Sequence, residues 1–286
     1  MAKINVALKL LQDYILEYTT NIFISRYHFY CNIRVIIMLE YNGKKMFRKF
    51  INNDLEDKIH SSTEFTNLLK VSNKPKAISF VNPFSYKILT HKSELIKSID
   101  YFFSDGALLC TLTNLRRRKK IDRVSFDFTS IANEVFSFAS SENKAVALIG
   151  GSKQEIADAS EYILGRYPNL NLIYFRDGYF SQDEFQSVIH EIDKNNVDIV
   201  IAGMGTPLQD DFIASIKKQS KSVYLSFTCG GFLTQTSLKG DYYHPVIKKL
   251  GLRWLQRCFM HKHVRSRLLK DYPIFLLSYI LNINLK

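Results

Sequence analysis

The sequence predicts an α/β protein: a Rossmann-like parallel sheet with helices on both faces, followed by a basic helical appendage at the C-terminus. Three observations predict it. From Lys76 onward, short apolar runs alternate with longer amphipathic stretches, the sequence form of βαβ units. The later runs all end in glycine-containing turns, at the strand ends where ligands bind in such sheets. From Tyr242 to Lys270 there is no Asp or Glu, while Lys and Arg recur among apolar residues.

Residues 1–74 are the least interpretable: Ile4 to Tyr18 reads as a helix, Ile33 to Glu40 as a strand and Asn52 to Asn73 as a polar, helix-prone link. The core is expected over 75–240. Lys76 to Val81 is a strand running into Asn82-Pro83, Phe84 to Lys97 a helix, and Ile99 to Phe103 a strand ending in Ser104-Asp105-Gly106, with a helix from about Ala107. Ala145 to Ile149 ends in Gly150-Gly151-Ser152 before a helix from Gln154 to Leu164. Leu170 to Phe175 runs into Arg176-Asp177-Gly178-Tyr179-Phe180 and a helix from Gln182 to Lys194. Val197 to Ala202 enters Gly203-Met204-Gly205-Thr206-Pro207-Leu208-Gln209-Asp210-Asp211-Phe212, and Ser222 to Phe227 ends in Cys229-Gly230-Gly231.

Glycines at such junctions let a phosphate approach the backbone and the N–H groups of the next helix. They serve equally as tight turns that pack helix against strand. Asp105 has two readings as well: a carboxylate facing a bound ligand, or an N-cap for the following helix.

The chain carries a formal charge of +12, concentrated in the last third. Lys248, Lys249, Arg253, Arg257, Lys262, Arg265, Arg267 and Lys270 alternate with Leu250, Trp254, Leu255, Phe259 and Leu268. Such a face suits an anionic bilayer or a diphosphate, and a solvated basic face is the plain alternative. No base-reading motif accompanies it, so nucleic acid ranks below membrane and nucleotide. Arg116 to Lys120 reads as a charged surface loop. Cys31, Cys110, Cys229 and Cys258 show no C-x-x-C spacing and, with no secretory signal evident, read as free thiols in a reducing cytoplasm. Ile274 to Leu285 is apolar but too short for the roughly 20 residues that span a bilayer.

Asp105-Gly106, Arg123 with Asp127, Gly150-Gly151, Asp177-Gly178-Tyr179-Phe180, Gly203 to Asp210, Gly230-Gly231-Phe232 and Leu250 to Arg257 come in an order that resembles the WecG/TagA/CpsF glycosyltransferases, over roughly residues 75–270. The resemblance implies an inverting transferase that moves an N-acetylmannosamine-type sugar or glucose from a UDP-sugar to a polyprenyl-diphosphate-linked saccharide in surface polysaccharide assembly. It implies Asp105 as general base. Asn82, Arg123, Gln209, Gly150, Gly151, Asp177, Gly178, Gly203 and Gly205 match substrate-binding positions, and Arg257, Arg265 and Arg267 are candidates for diphosphate contact. No metal and no cofactor beyond the UDP-sugar co-substrate are implied. The resemblance further implies a cytoplasmic enzyme, peripheral on the inner face of the cell membrane against an anionic surface, and a homo-oligomer. Departures are Leu108 in place of a glycine, Asp210 in place of glutamate, and Tyr243 and Arg253 in the appendage. They motivate an alternative, a catalytically impaired nucleotide-sugar-binding relative of the same fold.

Overall fold

The computed structural model describes residues 50–69, 75–116, 120–238 and 271–282. Its elements are α1 (Asn53–Asp57), β1 (Ile59–His60), α2 (Ser62–Phe65), β2 (Lys76–Val81), α3 (Pro83–Leu89), α4 (Ser93–Ser98), β3 (Tyr101–Ser104) and α5 (Ala107–Arg116). There follow α6 (Ala132–Ser141), β4 (Val146–Gly150), α7 (Lys153–Arg166), β5 (Leu172–Arg176), a 3-10 turn (Gln182–Glu184) leading into α8 (Phe185–Lys194), β6 (Ile199–Gly203), α9 (Leu208–Gln219), β7 (Leu225–Thr228), α10 (Phe232–Ser237) and α11 (Tyr272–Leu281).

Among the described residues all strand pairings are parallel, in the order β1-β3-β2-β7-β6-β4-β5. A parallel sheet buried on both sides needs apolar residues at successive positions, because neighbours point to opposite faces. Val146, Leu148, Ile199 and Ile201 pack with Phe65, Val135, Phe136, Ile163 and Phe232 on one face. Ala147, Ile149, Val200 and Ala202 pack with Leu55, Tyr86, Leu112, Val188, Phe212 and Phe275 on the other. The expected parallel sheet with helices on both faces is therefore present.

Several expectations need correction. The helix expected from Phe84 to Lys97 is two helices. Thr90 closes α3, its Oγ1 donating to the Lys87 carbonyl (2.9 Å), and the His91 and Lys92 N–H groups turn back to Ile88 and Leu89 (3.3 and 2.8 Å). The link expected over 52–73 instead adds β1 to the sheet edge, with Ile59 opposite Phe102 and Leu55, Ile59 and Phe65 buried. A two-residue strand offers no alternation to read. Helix α6 falls in a stretch left unassigned by pattern.

The apolar C-terminal segment forms α11, which belongs to the core rather than to a basic amphipathic appendage. Phe275 and Tyr279 are buried, with Phe275 against Phe50 and Tyr86 (ring centroids 5.7 and 5.5 Å). Glu56 Oε1 accepts from both Tyr86 (2.8 Å) and Tyr279 (3.0 Å), which stitches α1, α3 and α11 together. Among the described residues no helix is long and apolar enough to cross a membrane. The readings of Ile4 to Tyr18 and Ile33 to Glu40, the run Arg117 to Lys119, and the basic stretch with Arg257, Arg265 and Arg267 lie outside the described residues.

Candidate active site

The carboxyl ends of β5, β4, β6 and β7 meet through glycine. A Cβ on Gly150 (φ +150°) would strike the Gly203 carbonyl oxygen, one on Gly178 would come within 2.9 Å of Gly150 Cα, and one on Gly203 within 2.6 Å of the Gly230 carbonyl. These corners thus sit in backbone contact, the packing use of glycine rather than an open cradle. Gly205 differs: its φ is +79°, and nothing lies within 4 Å of where a Cβ would stand. Strands β6 and β4 send their chains to opposite faces, since α9 packs with one core cluster and α7 with the other. That makes their junction at Gly203 and Gly150 a switch point, where open α/β sheets bind ligands.

Much of the corner backbone is already engaged. Gln209 is buried in the first turn of α9, and its Oε1 accepts from Gly205 N and Gly230 N (both 3.2 Å), tying the two rim loops together. Its Nε2 faces Thr206 Oγ1 at 3.4 Å. Gly178 N donates to the Gly151 carbonyl (2.9 Å), and Asp177 Oδ1 accepts from Tyr179 N (3.0 Å). Beyond Gly151, the start of α7 is closed by its own Glu155, whose carboxylate accepts from Ser152 N (2.7 Å). The N–H groups of Gly178, Gly205 and Gly230 are thus engaged within the protein, and cationic side chains are the remaining means of meeting a phosphate charge beside them.

Asp105 stands on the same rim, just past β3. Its N–H donates to the Val81 carbonyl (2.8 Å), continuing the parallel ladder to the edge of the sheet. The carboxylate Oδ1 accepts from Arg123 Nη2 (3.2 Å), which also reaches Asp127 Oδ2 (2.8 Å). Arg123 arrives there because its backbone bridges Ser104 and Val124 N donates to the Ser104 carbonyl (2.9 Å). Asp127 is fixed by Ser125 Oγ (2.6 Å) and Thr129 N (2.7 Å). Burial pushes its carboxyl up, but these donors and Arg123 outweigh burial and hold it below its ordinary value. Burial likewise disfavours the Arg123 charge, and Asp105 and Asp127 more than restore it. Asn82 lies at the end of the neighbouring β2, where its Oδ1 caps α3 by accepting from Phe84 N and Ser85 N (both 3.0 Å).

Asp105 and the glycine corners therefore share one edge but not one contact. Three strand steps separate β3 from β6, about 14 Å at the spacing of a sheet. Between them the β2–β7 ladder covers only Lys76–Ile78 against Leu225–Phe227, so the two strands part before their carboxyl ends.

A carboxyl that sequence reasoning passed over as a mere departure lies under this gap. Asp210 is fully buried, its Oδ1 accepts from Ser79 Oγ, and its Oδ2 has no partner. Burial pushes its pKa up to about 6 against the opposing hydroxyls of Ser79 and Thr206. Ser79 and Thr228, hydroxyl residues at buried strand positions, were the available signal. Cys110 and Cys229 are buried free thiols, and burial pushes the Cys229 thiol up, away from a nucleophile.

A parallel sheet with an arginine-held carboxylate and tightly packed glycine corners on its carboxyl rim defines an α/β enzyme of Rossmann-like layout. Residues 57–285 match the glycosyl transferase WecG/TagA/CpsF family, and the chain belongs to it and is a glycosyltransferase. It is 40% identical over 227 residues to UDP-Gal:alpha-D-GlcNAc-diphosphoundecaprenol beta-1,4-galactosyltransferase of Shigella boydii, covering 79% of this chain and 94% of that one. It is 25% identical over 213 residues to N-acetylglucosaminyldiphosphoundecaprenol N-acetyl-beta-D-mannosaminyltransferase of Staphylococcus aureus strain MW2, covering 73% of this chain and 78% of that one. The same enzyme of strain MRSA252 is 24% identical over the same length.

Proposed function

We propose that this glycosyltransferase moves a hexose from a UDP-sugar, with inversion, to a hydroxyl of a saccharide carried on a polyprenyl diphosphate during bacterial surface polysaccharide assembly. The observation that carries the reading is Asp105: a carboxylate at a strand end, oriented by Arg123, on the rim that also holds the switch-point glycines. Asp105 takes the proton of the acceptor hydroxyl, its oxygen bonds to the anomeric carbon, and UDP leaves with the electron pair of the old bond. The nucleotide lies toward Gly150, Gly203 and Gly205, and the sugar points across the β2–β7 gap toward Asp105.

The relatives named above support the substrate class, since they act on diphosphoundecaprenol-linked N-acetylglucosamine. Galactose becomes the first donor to try, ahead of the N-acetylmannosamine-type sugar and glucose raised by sequence, because the galactosyl relative shares more identity. With the N–H groups of Gly178, Gly205 and Gly230 engaged, Arg257, Arg265 and Arg267 are the proposed counter-charge for the leaving diphosphate, without metal. The same basic stretch holds the enzyme peripherally on the inner membrane face, where the lipid-linked acceptor is found, and self-association keeps it in place. Leu108 does not argue for lost activity. It packs against the core while Gly106 (φ +149°) makes the turn, and the Asp105–Arg123 pair stands.

Labelled UDP-galactose, UDP-N-acetylmannosamine and UDP-glucose, each with polyprenyl-diphosphate-N-acetylglucosamine, test this. Asp105→Asn is expected to lower kcat about 10²–10⁴-fold while UDP affinity stays within about twofold. Equal turnover in the variant removes the base assignment. Failure of the wild type with every donor removes the donor class.

A further inference from the structure

The sheet is joined weakly where the reaction needs it joined well. Asp105 belongs to the β1-β3-β2 half, the glycine corners to the β7-β6-β4-β5 half, and the backbone ladder between the halves stops at Ile78 and Phe227. Beyond that point side chains replace it. Phe80 N, which the ladder leaves over, donates to Thr228 Oγ1 (3.1 Å); Thr228 Oγ1 donates to Ser79 Oγ (3.3 Å); Ser79 Oγ donates to Asp210 Oδ1. Every donor in this relay points the same way, toward one carboxyl. Ser79, Thr228 and Asp210 are all fully buried. Asp210 sits one residue after Gln209, whose carbonyl grips Gly205 and Gly230. Its helix, α9, packs against β2 and β7 as well as β6.

We propose that Asp210 is a positioning residue for the transfer step: through Ser79 and Thr228 it fixes the base-bearing half of the rim against the glycine half, setting the distance from Asp105 to the donor's anomeric carbon. The inference rests on the function proposed above. Its chemistry is specific. A relay that ends on an acceptor needs an oxygen at position 210 but not a charge, so asparagine can stand in where alanine cannot. The residue touches neither proposed substrate, so its loss acts on the step that spans both halves and spares binding to one of them.

The test uses the 286-residue chain with UDP-galactose and polyprenyl-diphosphate-N-acetylglucosamine, alongside UDP titration calorimetry. Asp210→Ala is expected to lower kcat at least tenfold with UDP affinity within about twofold, and Asp210→Asn to recover kcat to within about threefold of wild type. Ser79→Ala is expected to reproduce the loss, and the Ser79→Ala, Asp210→Ala double variant to lose no more than the worse single one, because both break one relay. Asp210→Ala turnover within twofold of wild type, a fall in UDP affinity parallel to kcat, or multiplicative losses in the double variant each overturn the inference while leaving the proposed function intact. If Asp210→Ala does not fold, the decision falls to Asp210→Asn and Ser79→Ala: an asparagine variant as impaired as Ser79→Ala refutes it. No turnover by the wild type overturns both.

Discussion

Replacing Asp210 by asparagine alters how stability responds to pH, and the size of the change follows from burial. The carboxyl has no accessible surface and its pKa rises from the ordinary 3.8 to about 6. A carboxyl raised in the fold favours the protonated native state, so its contribution is full below pH 3.8 and is lost as pH rises through about 6. About two pKa units at 1.36 kcal/mol each give about 3 kcal/mol, an order-of-magnitude figure for the penalty carried at neutral pH. Asparagine does not ionise. It leaves an unpaired amide that costs about 1–3 kcal/mol at every pH, so the sign of the difference at one pH decides nothing. What decides is the trend: the variant should gain on the wild type by about 3 kcal/mol between pH 4 and pH 7, roughly 6–12 °C in Tm for a domain of this size. Urea midpoints or thermal scans at half-unit steps measure it, and taking the difference cancels groups common to both proteins. Asp211 adds to the shift and pairs with Lys92 at 3.1 Å, so Asp211→Asn in both backgrounds is the control. A variant-minus-wild-type difference that is flat from pH 4 to pH 7 refutes the reasoning.

Other outcomes follow from the same geometry. Gly203→Ala places a methyl 2.6 Å from the Gly230 carbonyl and 2.8 Å from Cys229 Sγ, so it should cost about 1–3 kcal/mol, read as a lower urea midpoint. Asp127→Asn removes a carboxylate whose pKa is held down, so its destabilisation should be present at pH 7 and fade as pH falls below about 4; urea titrations at pH 3 and pH 7 check this. Phe275→Ala empties a fully buried aromatic site between Phe50 and Tyr86 and should cost about 3–5 kcal/mol in denaturant unfolding, which no loosely attached tail would do.

The parallel sheet was legible because its strands are uniformly apolar between glycine turns, a pattern with one good structural solution. Where patterning failed, a tertiary partner decided. Ile59–His60 is too short to signal a strand and exists because Phe102 and Phe103 lie beside it. The amphipathic run after Asn82 hides a break, since Thr90 to Lys92 bond back locally and no glycine or proline marks the stop. Within the site, pattern placed Asp105 at a strand end but left it between a ligand-facing carboxylate and a helix cap, and the choice of Asp105 as base and of Arg123 with Asp127 came from the family resemblance. Gln209 matched a substrate-binding position through the resemblance; that its carbonyl serves two backbone N–H groups depends on how β6 and β7 lie together and could not be read from pattern. Ser79 and Thr228 lie far apart in sequence and become a unit only when their strands diverge.

The divergence of β2 from β7 also divides the chain along its length. Everything on the Asp105 side of the gap, from α1 to Arg123, is encoded before β4 begins, and the glycine corners all come after it; among the described residues, α11 returns to pack in the first block. Exchange of one uninterrupted stretch between homologous enzymes, with a crossover near Asn143, would therefore graft a new set of glycine corners onto an unchanged Asp105 flank. In such hybrids the compatibility of residues 79, 210 and 228 would govern whether the grafted parts work together.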